Sequence, residues 1–304
     1  MMIVRAPAKV NLVLAVGPLR PDGFHGLSSL MVPLSLADVV RVRPRRDARI
    51  TCRVPGRPDL DGPSNLATRA AEAFRAISGV RAGCEIEIEK RIPVVAGLGG
   101  GSSDAAAVLR ALARIHGFAD RERLAAAGLS VGSDVPFFLG AGPAWAEGRG
   151  EALTPADVPV LHLVLAYPRD PALAIRAGDA YRWLDEARTG SPDPALDRPV
   201  RRRFSAGQAR NDLEGPCLTR FPALRMVRGR LSKAGARAVM MSGSGPTVFG
   251  IFAGRAEARR AGSALRAELA GAWDVLLVRT LRRHPGVTPW KSPRSASSRS
   301  TRRS

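Results

Sequence analysis

A glycine-rich segment in the first half of the chain, residues 93–104, stands directly before a stretch with helical periodicity at residues 105–115. Glycines carry no Cβ, so their backbone N–H groups can approach an anion closely. The first turn of a helix also leaves N–H groups without intrahelical acceptors at the positive end of its dipole. The segment therefore predicts a phosphate-binding loop, with Ser102 or Ser103 as the helix cap. A plain tight connection between two elements would have the same composition.

Two familiar phosphate-binding loops do not fit this segment. A P-loop needs a lysine after its glycines, whereas Ser102 follows Gly101 directly. A dinucleotide-binding loop needs a third glycine or alanine where Ser102 follows Gly97 and Gly99. The preceding strand alternates apolar and acidic side chains at residues 84–89, which is typical of a half-solvated antiparallel strand.

Two further segments carry groups suited to phosphoryl transfer. Lys9 and Asn11 fall on one face of the first predicted strand, and Asp134 follows Ser133 just before an apolar run. Transfer of a phosphoryl group to an alcohol needs N–H donors around the triphosphate, a carboxylate that takes the hydroxyl proton and a nearby cation. Together with the glycine loop, these residues suggest a kinase. Taken singly, a strand lysine is usually solvated and such an aspartate usually forms a turn.

The elements that must position these groups follow from periodicity and turn residues. In the first half we expect strands 3–16 and 27–42, helix 65–78, strand 85–89, helix 104–116, helix 121–127 and hairpin 140–151. In the second half we expect strand 161–166, helix 174–188, a loop over 190–203, helix 223–234, strands 237–241 and 247–252, helix 256–269 and strand 274–281. The last five elements follow the order of a split βαβ layer with helices on one face of an antiparallel sheet.

These elements predict an α+β fold, and the length of 304 residues favours two domains. Residues 1–157 would form a mixed α/β domain with the catalytic groups. Residues 158–284 would form a split βαβ-like domain with an antiparallel sheet, on the substrate side. Residues 285–304, rich in Ser, Arg and Pro, predict a disordered basic tail.

The composition restricts the possible partners. A formal net charge of +20 attracts anions in general, but the few scattered aromatic residues offer no platform for stacking bases. We therefore expect no specific nucleic-acid partner. The 3 cysteines lie far apart and the 4 histidines lack ligand spacing, which predicts neither disulfides nor a protein-bound zinc.

The first strand imitates a short signal peptide at residues 10–16, but Asn11 interrupts the apolar run and the side chains alternate. No stretch approaches the ~20 apolar residues that a membrane helix needs. These features predict a cytoplasmic protein without a membrane partner.

Three motifs occur in the order found in one superfamily of small-molecule kinases. They are residues 6–12, 97–106 and 241–247. Over residues 4–281 the sequence resembles the superfamily of galactokinase, homoserine kinase, mevalonate kinase and phosphomevalonate kinase. Segments 20–25, 31–38 and 133–138 look like the branch that phosphorylates a cytidine diphosphate-linked alcohol in the non-mevalonate isoprenoid precursor pathway.

The resemblance implies a catalytic pair of Lys9 and Asp134, with ATP and Mg²⁺ as cofactors. Asp134 would take the proton from the attacking 2-hydroxyl, and Lys9 would stabilise the developing negative oxygen. Asn11, Gly243 and Ser244 would contact the substrate, the last two from a second glycine turn. The residues expected to hold ATP are Asn65, Leu66, Pro93, Val94, Val95, Ala96, Gly97, Leu98, Gly99, Gly100, Gly101, Ser102 and Ser103.

For the other end of the substrate, the resemblance implies that Phe24 and His25 stack on and hydrogen-bond the cytosine, opposite Tyr181. Stacking contributes ~1–3 kcal/mol per base in single-strand binders. Two residues depart from the family pattern: Phe24 stands where tyrosine is usual, and Ala177 stands where threonine is common. Each departure removes a hydroxyl, so we expect an effect on affinity rather than on the type of reaction.

Two other functions remain open from the sequence alone. A related kinase of homoserine or mevalonate would need no cytosine pocket, against which Phe24, His25 and Tyr181 speak. A catalytically inactive basic binding protein on the same fold would have no need of Lys9 and Asp134. The expected partners are ATP and a small cytidine diphosphate-linked substrate, and the expected assembly is a monomer or a homodimer.

Overall fold

The computed structural model describes residues 1–21, 23–189 and 204–289. The helices are α1 (Leu66–Ser78), α2 (Gly100–His116), α3 (Arg121–Val131), α4 (Val135–Leu139), α5 (Ala177–Arg188), α6 (Glu214–Arg220), α7 (Pro222–Lys233) and α8 (Arg255–Glu268). The strands are β1 (Met2–Leu19), β2 (His25–Pro44), β3 (Ile50–Arg53), β4 (Cys84–Glu89), β5 (Ala144–Gly148), β6 (Ala152–Pro155), β7 (His162–Pro168), β8 (Arg210–Asn211), β9 (Ala238–Met241), β10 (Val248–Phe252), β11 (Trp273–Arg279) and β12 (Val287–Pro289).

The first sheet is built around two long antiparallel strands, β1 and β2. Its order is β12-β1-β2-β4-β3, with the β5-β6 hairpin joined to β2 and β8 parallel to β1. Helix α2 packs into the core of this half with Ala105, Val108, Leu109 and Leu112, which recur on one helical face and are all buried. The apolar stripe that predicted this helix therefore also fixes which way its first turn points.

Irregular pairing in β1 flanks the two polar residues of interest. The register between β1 and β2 shifts between Pro7 and Lys9 and again between Asn11 and Val13. Such bulges bend a strand and re-aim its side chains. Lys9 and Asn11 are two residues apart, so they project from one face of β1, whereas Val10 projects from the other.

The second sheet has the order β11-β7-β10-β9, and all of its pairs are antiparallel. Helices α7 and α8 bury one apolar stripe each in the core of this half, α7 through Leu224, Val227 and Leu231. The predicted α+β class and the antiparallel second layer are confirmed. The domain boundary at residues 157 and 158 stays a prediction.

A third group of buried side chains joins the two sheets. Val10 and Val32 from the first sheet lie in the same cluster as Leu165 and Phe249 from the second. Because Val10 faces this shared core, Lys9 and Asn11 face the opposite side of β1. The shared core thus holds β1 rigidly beneath the polar pair.

Three sequence predictions need correction or restriction. Helix α2 begins at Gly100 with Gly99 as its N-cap, in the left-handed region, so the predicted serine caps are wrong. The tail is not unstructured from residue 285 onward, because β12 pairs with Met2–Val4 of β1. The predicted loop at 190–203 and the rest of the tail, 290–304, lie outside the described residues. Among the described helices, none is long and apolar enough to cross a bilayer.

Candidate active site

Lys9 lies at the centre of a small polar cluster at the end of a cavity. Its ammonium lies 3.4 Å from Asp134 Oδ2 and donates a hydrogen bond of 2.7 Å to Asn11 Oδ1. Asn11 Nδ2 donates to Ser29 Oγ at 2.7 Å, and that hydroxyl donates to the Val13 carbonyl at 2.8 Å. This chain fixes which way the Asn11 amide faces and therefore where the ammonium sits.

Asp134 directs its carboxylate to Lys9 rather than to its own helix. It occupies the N-cap position of α4, yet its side chain makes no capping hydrogen bond. The residues that follow it in α4, from Val135 to Phe138, are buried and anchor the helix. The side chain of Asp134 is 36% exposed, whereas that of Lys9 is 7% exposed. A buried cation beside an accessible carboxylate suits a base that must reach a ligand hydroxyl.

A cavity of about 660 Å³ brings together most of the predicted catalytic and substrate-binding residues, in two groups. We call the first group, Lys9, Asn11, Asp134 and Gly243, the reaction cluster. Gly243 belongs to it because a Cβ at this position would lie 3.4 Å from Lys9 Nζ. The second group is the aromatic cluster, which consists of Phe24, His25, Arg149, Tyr181 and Asp185. Ser244 and Ala177 line the same cavity.

The aromatic cluster is organised by His25. The ring of His25 stacks on Tyr181 with centroids 5.3 Å apart and planes 18° apart. Its Nδ1 lies 2.9 Å from the Gly17 carbonyl oxygen, and its Nε2 lies 3.3 Å from Asp185 Oδ2. Burial raises the pKa of Tyr181 to about 12, and the nearby charge of Asp134 adds to the rise. The phenol is therefore neutral, and it lies within electrostatic reach of the reaction cluster.

One face of Phe24, which was expected to stack on the cytosine, lies against Arg149. The guanidinium carbon of Arg149 lies 3.4 Å from the centroid of the Phe24 ring, and Phe24 remains 46% exposed. A guanidinium over an aromatic face is a cation–π contact. Phe24, His25 and Tyr181 line one cavity, but Tyr181 does not face His25 across a gap for a base, because the two rings stack directly on each other. Arg149 was not anticipated. It comes from the turn between β5 and β6, and no sequence pattern connects this turn with the segment that carries Phe24.

The glycine loop lies against the reaction cluster through its backbone. The Leu98 carbonyl accepts from Lys9 N at 2.9 Å, and the Gly97 carbonyl accepts from Ser242 Oγ at 2.9 Å. Of the described residues, those at 93–103 are absent from the lining of the 660 Å³ cavity. The start of α2 therefore approaches Lys9 from a second direction.

Two glycines of this loop are required by their surroundings. Gly97 and Gly99 have φ of 71° and 69°. A Cβ on Gly97 would lie 2.1 Å from the Ser242 carbonyl oxygen, and one on Gly99 would lie 3.0 Å from Lys9 Cγ. The loop is thus a close backbone approach rather than a merely flexible connection.

Asn65 and Leu66, the predicted adenine neighbours, lie at the start of α1. The Asn65 side chain accepts from Ala67 N at 2.9 Å as the N-cap and donates to the Leu60 carbonyl at 2.8 Å. Leu66 lies close to the glycine loop, because a Cβ on Gly101 would be 3.3 Å from Leu66 Cδ1. Asn65 has an evident structural role, and Leu66 brings α1 next to the loop.

A buried ionic group beneath the loop was missed by the sequence reasoning. Lys90 Nζ bridges Asp38 Oδ2 at 2.5 Å and Asp104 Oδ2 at 2.8 Å, and it would lie 3.3 Å from a Cβ on Gly100. Burial raises the pKa of Asp104, against the attraction of the Lys90 ammonium. This bridge ties β2, the end of β4 and α2 together under the loop. A lysine directly after an alternating strand and before the glycines was the available signal.

Comparison with known proteins agrees with this arrangement. Residues 65–142 match the sequence profile described as GHMP kinases N terminal domain, and residues 198–271 match GHMP kinases C terminal. A protein of Anaeromyxobacter dehalogenans (strain 2CP-C) called 4-diphosphocytidyl-2-C-methyl-D-erythritol kinase is 62% identical over 309 residues, which cover 100% of this chain and 98% of that protein. A Deinococcus radiodurans protein of the same name is 42% identical and covers 88% of this chain and 90% of its own length.

Solved structures extend the comparison to the fold. A crystal structure of 4-(cytidine 5'-diphospho)-2C-methyl-D-erythritol kinase superposes with a TM-score of 0.74 at 40% identity, covering 92% of this chain and 99% of that one. A homoserine kinase from Cytophaga hutchinsonii superposes with a TM-score of 0.66 at 18% identity, covering 94% and 96%, and shares the fold alone. With two family profiles matched and full-length relatives at high identity, the chain is a kinase that belongs to the GHMP kinase family.

Proposed function

We propose that this protein transfers the γ-phosphoryl group of ATP to the 2-hydroxyl of 4-diphosphocytidyl-2-C-methyl-D-erythritol. The observation that carries the proposal is a single cavity with the Lys9–Asp134 pair in one cluster and stacked rings in the other. A molecule with an alcohol at one end and a base at the other fits both clusters at once. The names of the relatives at 62% and 42% identity point to the same substrate.

In the proposed reaction, Asp134 accepts the proton of the 2-hydroxyl while that oxygen forms a bond to the γ-phosphorus. The bond from the γ-phosphorus to the bridging oxygen breaks, and ADP leaves with its electron pair. Lys9 stabilises the negative charge on the attacking oxygen, since its ammonium lies 3.4 Å from Asp134 and is held by Asn11. Because a tertiary alcohol is hindered, its placement should matter more than the strength of the base.

ATP would lie along the glycine loop, with its phosphates at the start of α2. The positive φ angles at Gly97 and Gly99 and the helix start at Gly100 support this placement. Mg²⁺ is usually held by phosphate oxygens with one or two protein ligands. Ser103 Oγ and Asp104 Oδ1 are buried there without a hydrogen-bond partner, so they fit an ion that arrives with the nucleotide and neutralises its phosphates.

The cytosine would lie in the aromatic cluster, where His25 and Tyr181 form one stacked wall and Phe24 carries Arg149 on its face. The absence of a hydroxyl at Phe24 and at Ala177 leaves stacking and the polar groups of His25, Arg149 and Asp185 as the means of recognition. We place the reaction in the cytoplasm, in keeping with the free and buried cysteines. A monomer or homodimer stays our expectation.

A direct assay tests this function. The purified protein is incubated with ATP, Mg²⁺ and one alcohol at a time, and ADP is measured. The alcohols are the cytidyl compound, 2-C-methyl-D-erythritol, its 4-phosphate, homoserine and mevalonate. We expect release of ADP with the cytidyl compound at a kcat/KM about 10- to 100-fold above that with the others, since loss of a stacked base alone costs ~1–3 kcal/mol. Equal use of the uncytidylated alcohols would remove the cytosine pocket, and preference for homoserine or mevalonate would move the protein to another branch.

A further inference from the structure

A strand of two residues, β8, holds the second glycine turn in place. Asn211 in this strand is 8% exposed, and its Nδ2 donates to the carbonyls of Met241 and Gly243, both at 2.8 Å. Its Oδ1 accepts from Leu213 N at 3.0 Å. Both N–H groups of the amide therefore donate to the same turn, and the amide oxygen accepts from a residue two positions later in the chain.

The turn that Asn211 holds borders the reaction cluster on one side and the glycine loop on the other. Gly243 has φ of 56°, and a Cβ there would lie 3.3 Å from Asn11 Oδ1 and 3.4 Å from Lys9 Nζ. Ser242 Oγ donates to the Gly97 carbonyl at 2.9 Å. A shift of this turn would therefore move the wall against which Lys9 and the loop are both set.

We propose that Asn211 is a positioning residue for phosphoryl transfer, which acts by holding the turn at residues 242–245 against Lys9 and Asn11. Asn211 does not line the cavity among the described residues, so its effect must pass through Gly243. The inference rests on the proposed kinase function for its kinetic readout. Parallel pairing of β8 with Val13 and Leu14 of β1 supplies the rigid support that the role needs.

An amide is the suitable group at this position because it has two donors and one acceptor. An aspartate has the same shape, but its ionised carboxylate would face two carbonyl oxygens and would push the turn away. Small displacements of groups around a reaction centre reduce kcat strongly, by as much as ~10²-fold per 1 Å. The protonated acid would restore one of the two donors.

The test compares Asn211→Asp and Asn211→Ser with the matched control Gln208→Ala. Gln208 lies in the same segment, is exposed, and uses its side chain on Ser205 N at 2.8 Å, away from the turn. We expect Asn211→Asp to lower kcat by about 10- to 100-fold with the KM for ATP within about threefold, and Asn211→Ser to lie between it and the parent. The control should keep the parent's kcat.

A pH profile separates positioning from a general loss of stability. The ratio of kcat for Asn211→Asp to that of the parent should rise as the pH falls from 8 to 6, by about threefold or more, because protonation regains one donor. The charged groups around this position are Arg210, Asp212, Glu214, Arg188, Arg228, Lys9 and Asp134. The parent contains the same groups, so their titration affects kcat of both proteins and cancels in the ratio.

A readout without catalysis keeps the two proposals apart. Amide hydrogen exchange over residues 241–247 should be faster in Asn211→Asp and in Asn211→Ser than in the parent, while the rest of the chain is unchanged. A kcat within about twofold of the parent in a folded variant would overturn the positioning role, and so would unchanged exchange in this segment. If the parent phosphorylates none of the alcohols, the proposed function fails, and the exchange data alone decide on Asn211.

Discussion

The reaction cluster and the aromatic cluster share one cavity but are held in different ways. Lys9 and Asn11 are buried on a long strand, and their polar groups form one chain of hydrogen bonds that ends on a backbone carbonyl. Phe24 lies in the turn before β2 and is half exposed, and Arg149 reaches it from another turn. Lys9 and Asn11 of the reaction cluster are thus fixed on a buried strand, whereas Phe24 and Arg149 of the aromatic cluster lie on exposed turns.

This difference indicates which properties can vary between related kinases. A strand fixed by a shared core cannot shift one catalytic group without disturbing the others. Turns at the surface tolerate substitution far better. The two departures from the family pattern, Phe24 and Ala177, both lie at the cavity and away from the strand that carries Lys9.

The largest effect is expected from Asp134→Asn in the reaction cluster. The amide cannot accept the hydroxyl proton, so kcat should fall by at least about 10²-fold while ATP and substrate still bind. Asp185→Asn makes the same chemical change in the aromatic cluster, and it should act on the KM for the alcohol instead. Steady-state kinetics of both variants measure the contrast. A kcat of Asp134→Asn close to that of the parent would remove this residue from the mechanism.

A smaller effect is expected from Tyr181→Ala, which removes the wall behind His25. Loss of a stacked ring should raise the KM for the cytidyl substrate by about tenfold and leave the KM for ATP unchanged. Tyr181→Phe keeps the ring and serves as the control, with a change of about twofold at most. If Tyr181→Ala lowered kcat as much as Asp134→Asn does, the separation of the two clusters would be wrong.

The smallest effect on activity at neutral pH is expected from His284→Phe, behind the reaction cluster. His284 packs its ring on Phe137 and Phe138 of the helix that follows Asp134, with centroids 5.0 and 5.8 Å away. Burial lowers the pKa of His284 from 6.5 to about 4, and the charge of Arg110 contributes. The phenyl ring should keep this packing, so kcat at pH 7 should stay near that of the parent.

The stability of the same variant should depend less on pH. A folded pKa below the unfolded value means that the stabilisation is present above pH 6.5 and is lost as the pH falls towards 4. Between pH 7 and pH 4.5 the parent should lose about 2 kcal/mol more of its free energy of unfolding than His284→Phe does. Urea unfolding at the two pH values measures this. Equal losses would mean that His284 is not held neutral in the folded protein.

Much of the fold could be predicted because its signals are local. The stripe of Val108, Leu109 and Leu112 predicted α2, but the cap was wrong because Gly99 must fit against Lys9 and Phe138, which only the folded chain shows. Strand β12 was missed for a similar reason. Its residues have the composition of a tail, and their pairing with β1 depends on an edge formed by the opposite end of the described chain.

The candidate site also contains residues that local motifs predict and residues that only the folded chain reveals. Lys9, Asp134 and the glycine loop could be found from motifs, because each lies in a short segment with its own chemistry. Asn211 carries no such signal, since an asparagine in a polar segment is typical of a turn. Its role depends on Met241 and Gly243, about 30 residues later in the chain, where its two hydrogen bonds end.

The pairing of β12 with the outer side of β1 also protects the molecule from its neighbours. An open edge strand has unpaired N–H and C=O groups that can pair with another chain. A very short strand that pairs with this edge satisfies those groups and limits such association. Val287–Pro289 covers Met2–Val4 in this way, and proline at the end of the cover cannot donate a further bond. Removal of Val287–Pro289 would therefore leave the backbone of Met2–Val4 unpaired on this side of the sheet.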